Sequence, residues 1–281
     1  MPSSTQPLVG TGASLVSGQD AIVFEDVVLS FEKNLVLDGI SFRLARGETK
    51  AIFGISGTGK STILKLAMGL IKPDSGRIFV LGSEVTAMKE EELFELRRKL
   101  GMVFQESALF DSLNVEENVG FRLMEEHLPY AEIHQRVLEV LRFVELEHTF
   151  KMFPSELSGG MRRRVAIARA IITQPEVLLY DSPTGGLDPV TSTTIVELLV
   201  KQRDVYKTSA LLVTHRLQDA FIMATHTFNS QTNHMEPLPE GKYRNLHTNF
   251  LLLRDAKIIF EGNASELVYS QDEYIKEYLS Q

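Results

Sequence analysis

The chain has 281 residues, of which 43% are hydrophobic and 23% charged, a composition typical of a globular protein with one large α/β domain or two small ones. Its net charge of -8 argues against a broad nucleic-acid-binding surface, which requires a basic face. The absence of cysteine excludes disulfides and cysteine-ligated metal centres, and no apolar run approaches the roughly 18–20 residues of a membrane span.

The N-terminal half begins with a segment that carries no structural pattern. Residues 1–20 are rich in Ser, Thr and Gly, lack the features of a secretion signal, and are predicted to form a flexible tail. Two strands joined by a polar turn are predicted over AIVFEDVVLSF and LVLDGISFRLARG. The segment KAIFG (50–54) is predicted to be a short buried strand that leads into a glycine-rich loop and then a helix.

The remainder alternates between helical and extended patterns. An amphipathic helix is predicted over 89–100, and the segment from about 106 to 157 is predominantly helical in pattern. EVLLYD (176–181) and SALLVTH (209–215) are short apolar runs separated by helical stretches, which indicates βαβ units and a parallel sheet. A hairpin over 250–262 and a C-terminal helix over 263–281 complete the prediction.

The strongest motif is GISGTGKS, residues 54–61, which matches G-x-x-x-x-G-K-[ST] between a predicted strand and a predicted helix. Glycines let the backbone approach phosphate groups closely, and the helix N-terminus directs N–H groups at the anion. A chance match on a strand–helix turn is the alternative, and the flanking elements disfavour it. The predicted nucleotide-binding residues of this segment are Gly54, Ile55, Ser56, Gly57, Thr58, Gly59, Lys60, Ser61 and Thr62.

A second site element is Asp181, which ends the apolar run VLLYD. Open parallel sheets bind ligands at the carboxyl ends of their strands, and there an aspartate can take part in a Mg²⁺ shell together with the Ser61 hydroxyl. An aspartate at the end of a strand is more often a turn residue or a helix cap. Its pairing with the phosphate loop favours the metal role.

The segment LSGGM (157–161) resembles the signature of ATP-binding-cassette (ABC) ATPases, and the other elements of that family follow in its order. Gln105 resembles the Q-loop glutamine, GGLD (185–188) the D-loop and His215 the switch histidine. Phe31 is placed like the aromatic that stacks on adenine, although core packing is an equally good interpretation. Each motif also has a simpler interpretation: the SGG residues could cap a helix, Gln105 could be a solvated loop residue, and His215 could be structural. The occurrence of all these motifs in the order of the family disfavours these alternatives.

This resemblance implies an α/β fold, an ABC-type P-loop NTPase with a parallel-sheet core, an antiparallel β subdomain and an inserted helical subdomain at about 106–157. All of these would lie in one domain over 21–262. It further implies MgATP binding and hydrolysis, with catalytic roles for Gln105 and His215 and with Gln105 also among the metal ligands. Two cassettes would face each other, so that ATP on one is covered by Ser158, Gly159 and Gly160 of the second subunit, and a homodimer is expected.

Partners and cargo follow from a finer resemblance. GISGTGKST, FQESALFDSL and PSELSGGMRRRVAIARA resemble the ATPases of Mla/MCE-type lipid transporters and their chloroplast relatives. That likeness implies a membrane permease docking near 106–121 through Ala108-Leu109-Phe110, a lipid carrier, and a position at the cytoplasmic face of the membrane. The alternative is a soluble non-transport ABC ATPase, such as the iron–sulfur assembly type. Only 98 positions separate Lys60 from Ser158, which excludes the long coiled coil of DNA-repair members.

One residue and one segment depart from the family pattern. Ser182 stands where relatives usually carry a glutamate that polarises the attacking water, so the chain is predicted to be a slow ATPase, an ATP-dependent switch, or an enzyme that uses Glu106 or Asp188 instead. A polar insertion over about 226–248 is predicted to be an exposed loop. Its histidines, His226, His234 and His247, match no tight metal-ligand spacing.

Overall fold

The computed structural model describes residues 20–239 and 248–280, so residues 1–19 of the predicted N-terminal tail and His247 lie outside the described residues. The last residue of the predicted tail, Asp20, begins a strand. One sheet is antiparallel and has the strand order β2-β1-β4-β5. Its strands are β1 (Asp20–Phe31), β2 (Asn34–Ala45), β4 (Ser75–Val80) and β5 (Ser83–Glu84). The antiparallel β subdomain is therefore confirmed.

The second sheet forms the core and has the strand order β12-β11-β3-β8-β7-β6. All neighbouring strands pair in parallel except β12, which pairs antiparallel with β11. Because helices cover both faces, the central strands are apolar along almost their whole length. The strands are β3 (Thr49–Phe53), β6 (Leu100–Val103), β7 (Val177–Asp181), β8 (Ser209–Val213), β11 (Thr248–Arg254) and β12 (Lys257–Asn263).

This strand order decides which loops meet. The strands β3, β8, β7 and β6 are consecutive neighbours, and their carboxyl ends lie along one edge of the sheet. The loops that follow these strands hold the phosphate loop, His215, Ser182 and Gln105 respectively. The candidate site residues are thus brought to one edge although they are far apart in the chain.

Helices pack around the two sheets. They are α1 (Lys60–Ala67), α2 (Glu90–Arg97), α5 (Gly159–Ile171), α6 (Pro189–Tyr206) and α7 (Leu217–Thr225). The core sheet divides the buried apolar side chains into two clusters: one beneath the antiparallel sheet and α1, the other continuous with the helical region. No helix within the described ranges is long and apolar enough to cross a membrane.

The helical subdomain consists of α3 (Val115–Glu125), α4 (Tyr130–Phe143) and two single turns of 3₁₀ helix, Glu147–Thr149 and Pro154–Glu156. Its predicted start near residue 106 was too early. The Asn114 side chain accepts a hydrogen bond from the Glu117 amide and caps α3, so the preceding residues form an irregular loop. On α4, Ile133, Val137 and Leu141 are buried, whereas Val140 is only partly buried.

The polar insertion is not a loop where it is described. His226–Asn229 (β9) and His234–Pro237 (β10) pair as an antiparallel hairpin that packs on α6. The Asp204 carboxylate on α6 accepts hydrogen bonds from the Phe228 amide at 2.8 Å and from the Thr227 hydroxyl at 3.1 Å. These two hydrogen bonds give the hairpin a partner that its polar composition did not predict.

The C-terminal region contains two short helices rather than the predicted single one. These helices are α8 (Ala264–Val268) and α9 (Glu273–Leu279). The Asp272 side chain accepts a hydrogen bond from the Ile275 amide at 3.1 Å, so a new helix begins there instead of continuing the first. Asn263 caps α8 in the same way.

Candidate functional site

The phosphate loop lies between β3 and α1, as predicted from its motif. Gly54 has φ +145°, a conformation that L side chains rarely adopt, and a Cβ added there would meet the carbonyl oxygen of Leu253 on the neighbouring strand. The backbone can therefore turn away from the sheet at this point only without a side chain. The turn leads into the N-terminus of α1, where backbone N–H groups are free of helical partners.

Lys60 is buried at the base of this loop. Its Nζ donates hydrogen bonds to the carbonyl oxygens of Gly54 at 2.8 Å and Ile55 at 2.7 Å. Burial lowers the pKa of the Lys60 ammonium, and the nearby negative charge of Asp181 opposes that shift. An anion entering the loop would meet a partly desolvated positive charge, which is a stronger partner than one in bulk water.

Ser61 and Asp181 are brought into direct contact across the sheet edge. The Ser61 hydroxyl donates to Asp181 Oδ1 at 2.9 Å, although 120 positions separate the two residues. A hydroxyl and a carboxylate are the hard oxygen ligands that Mg²⁺ prefers, so the pair fits the predicted metal role. Gln105 lies exposed after β6 and, within the described part of the chain, makes no hydrogen bond to either of them.

Ser182 opens a tight turn directly after Asp181. It has φ 45°, its amide donates to the Val213 carbonyl at 2.8 Å, and its carbonyl accepts from the Gly185 amide at 2.9 Å. The side chain is buried, with 7% of the residue exposed. His215 is exposed beside this turn: a Cβ on Gly185 would lie 3.6 Å from its Cε1 atom. The structure thus joins Ser182, Gly185 and His215 in one small cluster.

The two carboxylates considered as substitutes for a glutamate are placed differently. Asp188 is the N-cap of α6, and its Oδ1 accepts from the Thr191 amide at 3.0 Å. Hydrogen bonds from the Thr191 hydroxyl and amide hold the pKa of Asp188 below its usual value. Glu106 is exposed in the loop after Gln105. Asp188 is therefore engaged in capping, a role that its motif position did not indicate.

The signature segment caps a helix, as its alternative interpretation predicted, and its role in covering ATP stays a prediction. Ser158 is the N-cap of α5, with its hydroxyl oxygen accepting from the Met161 amide at 3.2 Å, and yet Ser158 and Gly159 are both exposed. A Cβ on Gly160 would lie only 2.5 Å from the Thr191 Cγ2 atom, so the helix start packs closely against α6. The N-terminus of a thirteen-residue helix thus faces outward, where an anion from outside could bind.

Phe31 ends β1 and is 48% exposed, so it does not belong to the core. That exposure removes the packing interpretation, and stacking on an adenine base stays a prediction for this side chain. Among the described residues, no group of three His, Cys, Asp or Glu side chains is arranged to hold a metal ion.

Sequence reasoning missed two buried charged residues that lie beside the cluster of Ser182, Gly185 and His215. Asp219, on the first turn of α7, accepts a hydrogen bond from the Thr184 hydroxyl and lies 3.7 Å from Arg216. Burial raises the pKa of Asp219, while the Thr184 hydrogen bond opposes the shift. The second residue, Arg163 on α5, is 5% exposed.

Comparison with known proteins shows which family the chain resembles. A family model described as ABC transporter matches residues 37–185. The protein TRIGALACTOSYLDIACYLGLYCEROL 3 of Arabidopsis thaliana is 38% identical over 90% of this chain and 71% of its own length. The intermembrane phospholipid transport system ATP-binding protein MlaF of Haemophilus influenzae is 31% identical over 93% and 90%, and that of Escherichia coli K12 33% over 90% and 86%.

Solved structures show the same likeness. A dimeric, post-hydrolysis ATP-binding cassette, MJ0796 bound to ADP and Pi, aligns with a TM-score of 0.72 and 28% identity, covering 86% of this chain and 98% of its own. A second neighbour is cbiO1 from Clostridium perfringens, described as part of the ABC transporter complex cbiONQ. It aligns with a TM-score of 0.75 and 27% identity over 94% of this chain and 96% of its own.

Proposed function

The chain belongs to the ABC transporter ATP-binding family, and from that premise we propose that it is the ATPase subunit of a phospholipid transporter of the Mla type. Members of this family bind and hydrolyse ATP, and so does this cassette. The observation that carries the site assignment is the 2.9 Å contact between Ser61 and Asp181 beside the phosphate loop. The proposed lipid cargo is supported by relatives that align with nearly the whole chain and whose names specify phospholipid transport.

Within the proposed site, each residue has a distinct role. Lys60 and the loop amides bind the β- and γ-phosphates, and Phe31 stacks on the adenine. Ser61, Asp181 and Gln105 would hold a magnesium ion, which when bound neutralises charge on the phosphates. Hydrolysis then depends on the orientation of the attacking water by Gln105 and His215. The remaining phosphate-loop residues named from sequence contribute backbone N–H groups and loop shape.

ATP would be shared between two cassettes. The exposed start of α5, with Ser158, Gly159 and Gly160, faces the nucleotide of a second copy, and the dimeric neighbour bound to ADP and Pi supports that arrangement. The outward helix N-terminus supplies the attraction for phosphate. In this proposal ATP joins two cassettes, and hydrolysis lets them separate.

The proposed docking site for a membrane permease lies in the loop before α3. Its residues Ser107 and Ala108 both have positive φ, and Arg169 donates to their carbonyl oxygens at 2.9 and 2.6 Å. Phe110 is 43% exposed and contacts Phe121, with ring centroids 4.7 Å apart. A rigid loop that presents an exposed aromatic suits a partner helix, which would hold the subunit at the cytoplasmic face of a membrane. A lipid carrier would complete the transporter.

The hydrolysis rate follows from Ser182. A hydroxyl is not a useful base near neutral pH, and general-base help is worth roughly 10²–10⁴-fold. Positioning and electrostatic stabilisation supply most of phosphoryl-transfer catalysis, and the residues for both are present. We therefore assign a slow but working ATPase, and Ser182 itself contributes turn geometry. The capping role of Asp188 disfavours it as a replacement base.

Steady-state turnover tests the assignment. The native chain is compared with Lys60→Ala, which removes the phosphate-loop charge, and with Ser182→Glu, which restores a carboxylate. The proposal expects native turnover above the Lys60→Ala background and a further rise in Ser182→Glu. If native turnover equals the background while ATP still dimerises the protein in light scattering, the chain is a nucleotide switch instead.

Cargo is tested by the partners that accompany the chain. Affinity capture from detergent-solubilised membranes is expected to recover a multi-span permease and phospholipid. Recovery of soluble scaffold proteins loaded with iron–sulfur clusters, and of no permease, would favour the non-transport alternative.

A further inference from the structure

Arg163 joins three segments of the site. It lies near the start of α5, behind the signature, and its Nη1 donates to the carbonyl of Phe104 at 2.7 Å. Its Nη2 donates to the carbonyl of Gly185 at 3.2 Å. Phe104 directly precedes Gln105, and Gly185 begins the GGLD turn. One planar side chain therefore ties the signature helix to the loop that carries Gln105 and to the turn that lies next to His215.

The environment of Arg163 does not suit a role in stability. Burial lowers the pKa of its guanidinium, with the charge of Glu106 opposing the shift. Its Nε is buried without a hydrogen-bond partner in the described part of the chain. A buried charge whose partners are carbonyl dipoles gains little net stability, because desolvation offsets the attraction. The fixed fork of a guanidinium does, however, set the separation of the two carbonyls that it holds.

The Gly185 end of this bridge touches the site itself. A Cβ on Gly185 would lie 3.4 Å from Ser182 Cβ and 3.6 Å from His215 Cε1, so these residues are neighbours of the Gly185 backbone. The Gly185 amide also donates to the Ser182 carbonyl. A shift of the Gly185 carbonyl relative to Arg163 would therefore change the position of this turn relative to His215.

We propose that Arg163 is a positioning residue for ATP hydrolysis, which holds the Gln105 loop and the GGLD turn at a fixed separation so that Gln105 and His215 address the same attacking water. This inference rests on the proposed roles of those two residues. A displacement of about 1 Å can cost on the order of 10²-fold in rate. The requirement is sharper in this chain because Ser182 offers no carboxylate to hold the water independently.

The test measures kcat and KM for ATP in four chains: native, Arg163→Gln, Arg163→Lys and the control Arg142→Gln, which changes an exposed arginine of α4. We expect Arg163→Gln to lower kcat about 10–30-fold with KM within about twofold, since the interaction acts after nucleotide binding. Lysine keeps the charge but lacks the fork, so Arg163→Lys should restore part of the rate. The control should match the native chain.

A double-variant cycle distinguishes positioning from general destabilisation. In a Gln105→Ala chain, Arg163→Gln should lower kcat less than about threefold, because the loop that it positions no longer carries the glutamine. An undiminished loss in that background overturns the proposal, as does a raised KM with unchanged kcat or native-like turnover in Arg163→Gln. If Arg163→Gln does not fold, Arg163→Lys decides: a lowered kcat with unchanged KM supports the role, and native kcat refutes it.

A failure of the proposed function would give a different experimental result. If native turnover equals the Lys60→Ala background, the slow-ATPase assignment fails, and the same Arg163 series is then measured in the Ser182→Glu chain. There, a fall in kcat with unchanged KM supports the positioning role, and unchanged turnover refutes it.

Discussion

Asn118 on α3 holds the proposed docking loop by hydrogen bonds from a fully buried side chain, and Asn118→Ala is expected to loosen that loop. The two N–H groups of its side-chain amide are shared among the carbonyls of Phe110 at 3.0 Å, Leu113 at 2.8 Å and Asn114 at 3.0 Å. Its side-chain oxygen accepts from the Phe110 amide at 2.8 Å. No other side chain makes as many contacts to the loop backbone among the hydrogen bonds of the described residues.

The loss of stability expected for Asn118→Ala depends on which backbone groups lose a hydrogen-bond partner. The Asn114 carbonyl keeps the helical hydrogen bond from the residue 118 amide, and water can reach part of Phe110, which is 43% exposed. One or two backbone groups are then left unsatisfied at about 1–3 kcal/mol each, for a total of about 1–6 kcal/mol. For a chain of this size, each kcal/mol lowers Tm by about 2–4 °C.

Thermal unfolding followed by circular dichroism measures this effect. Gln135→Ala is the matched control, because it removes an exposed amide on α4 that donates only to Glu139, and it should change stability by less than about 0.5 kcal/mol. Asn118→Asp should be at least as damaging as Asn118→Ala, since it places a carboxylate against three carbonyl oxygens. A Tm for Asn118→Ala equal to that of Gln135→Ala would refute the reasoning.

Three further outcomes are expected. Asp219→Asn should become more stable relative to the native chain as the pH rises from below the ordinary carboxyl pKa through the raised pKa of Asp219. The reason is that only the native residue must then bury a charge. Thermal melts of the two chains whose difference in stability stays constant across this pH range would contradict this. Asp204→Ala should speed hydrogen exchange at Phe228 and across the β9–β10 hairpin while the β3 amides stay protected, whereas unchanged hairpin exchange would show that other contacts hold it. Gly54→Ala should abolish ATP binding measured by calorimetry, because a Cβ there meets a neighbouring strand, and native affinity would disprove that steric argument.

The local elements could be predicted because their causes are local. Strand β7 could be predicted from its apolar run. The phosphate loop could be predicted from a glycine spacing that few other structures require. Boundaries depend on single capping side chains, which is why Asn114 and Asp272 shifted or divided the predicted helices. The hairpin at β9 was missed because its stability comes from Asp204, a residue of another element.

The sequence by itself therefore determined the family, the phosphate loop and the order of the motifs, since each is a pattern of residue types at short spacing. Only the tertiary structure decided that Ser61 meets Asp181, that Phe31 is exposed, and that Arg163 binds two loops at once. The physical reason is the strand order of the core sheet, which aligns the ends of β3, β8, β7 and β6. Contacts across that edge join residues distant in the chain, and no local spacing encodes them.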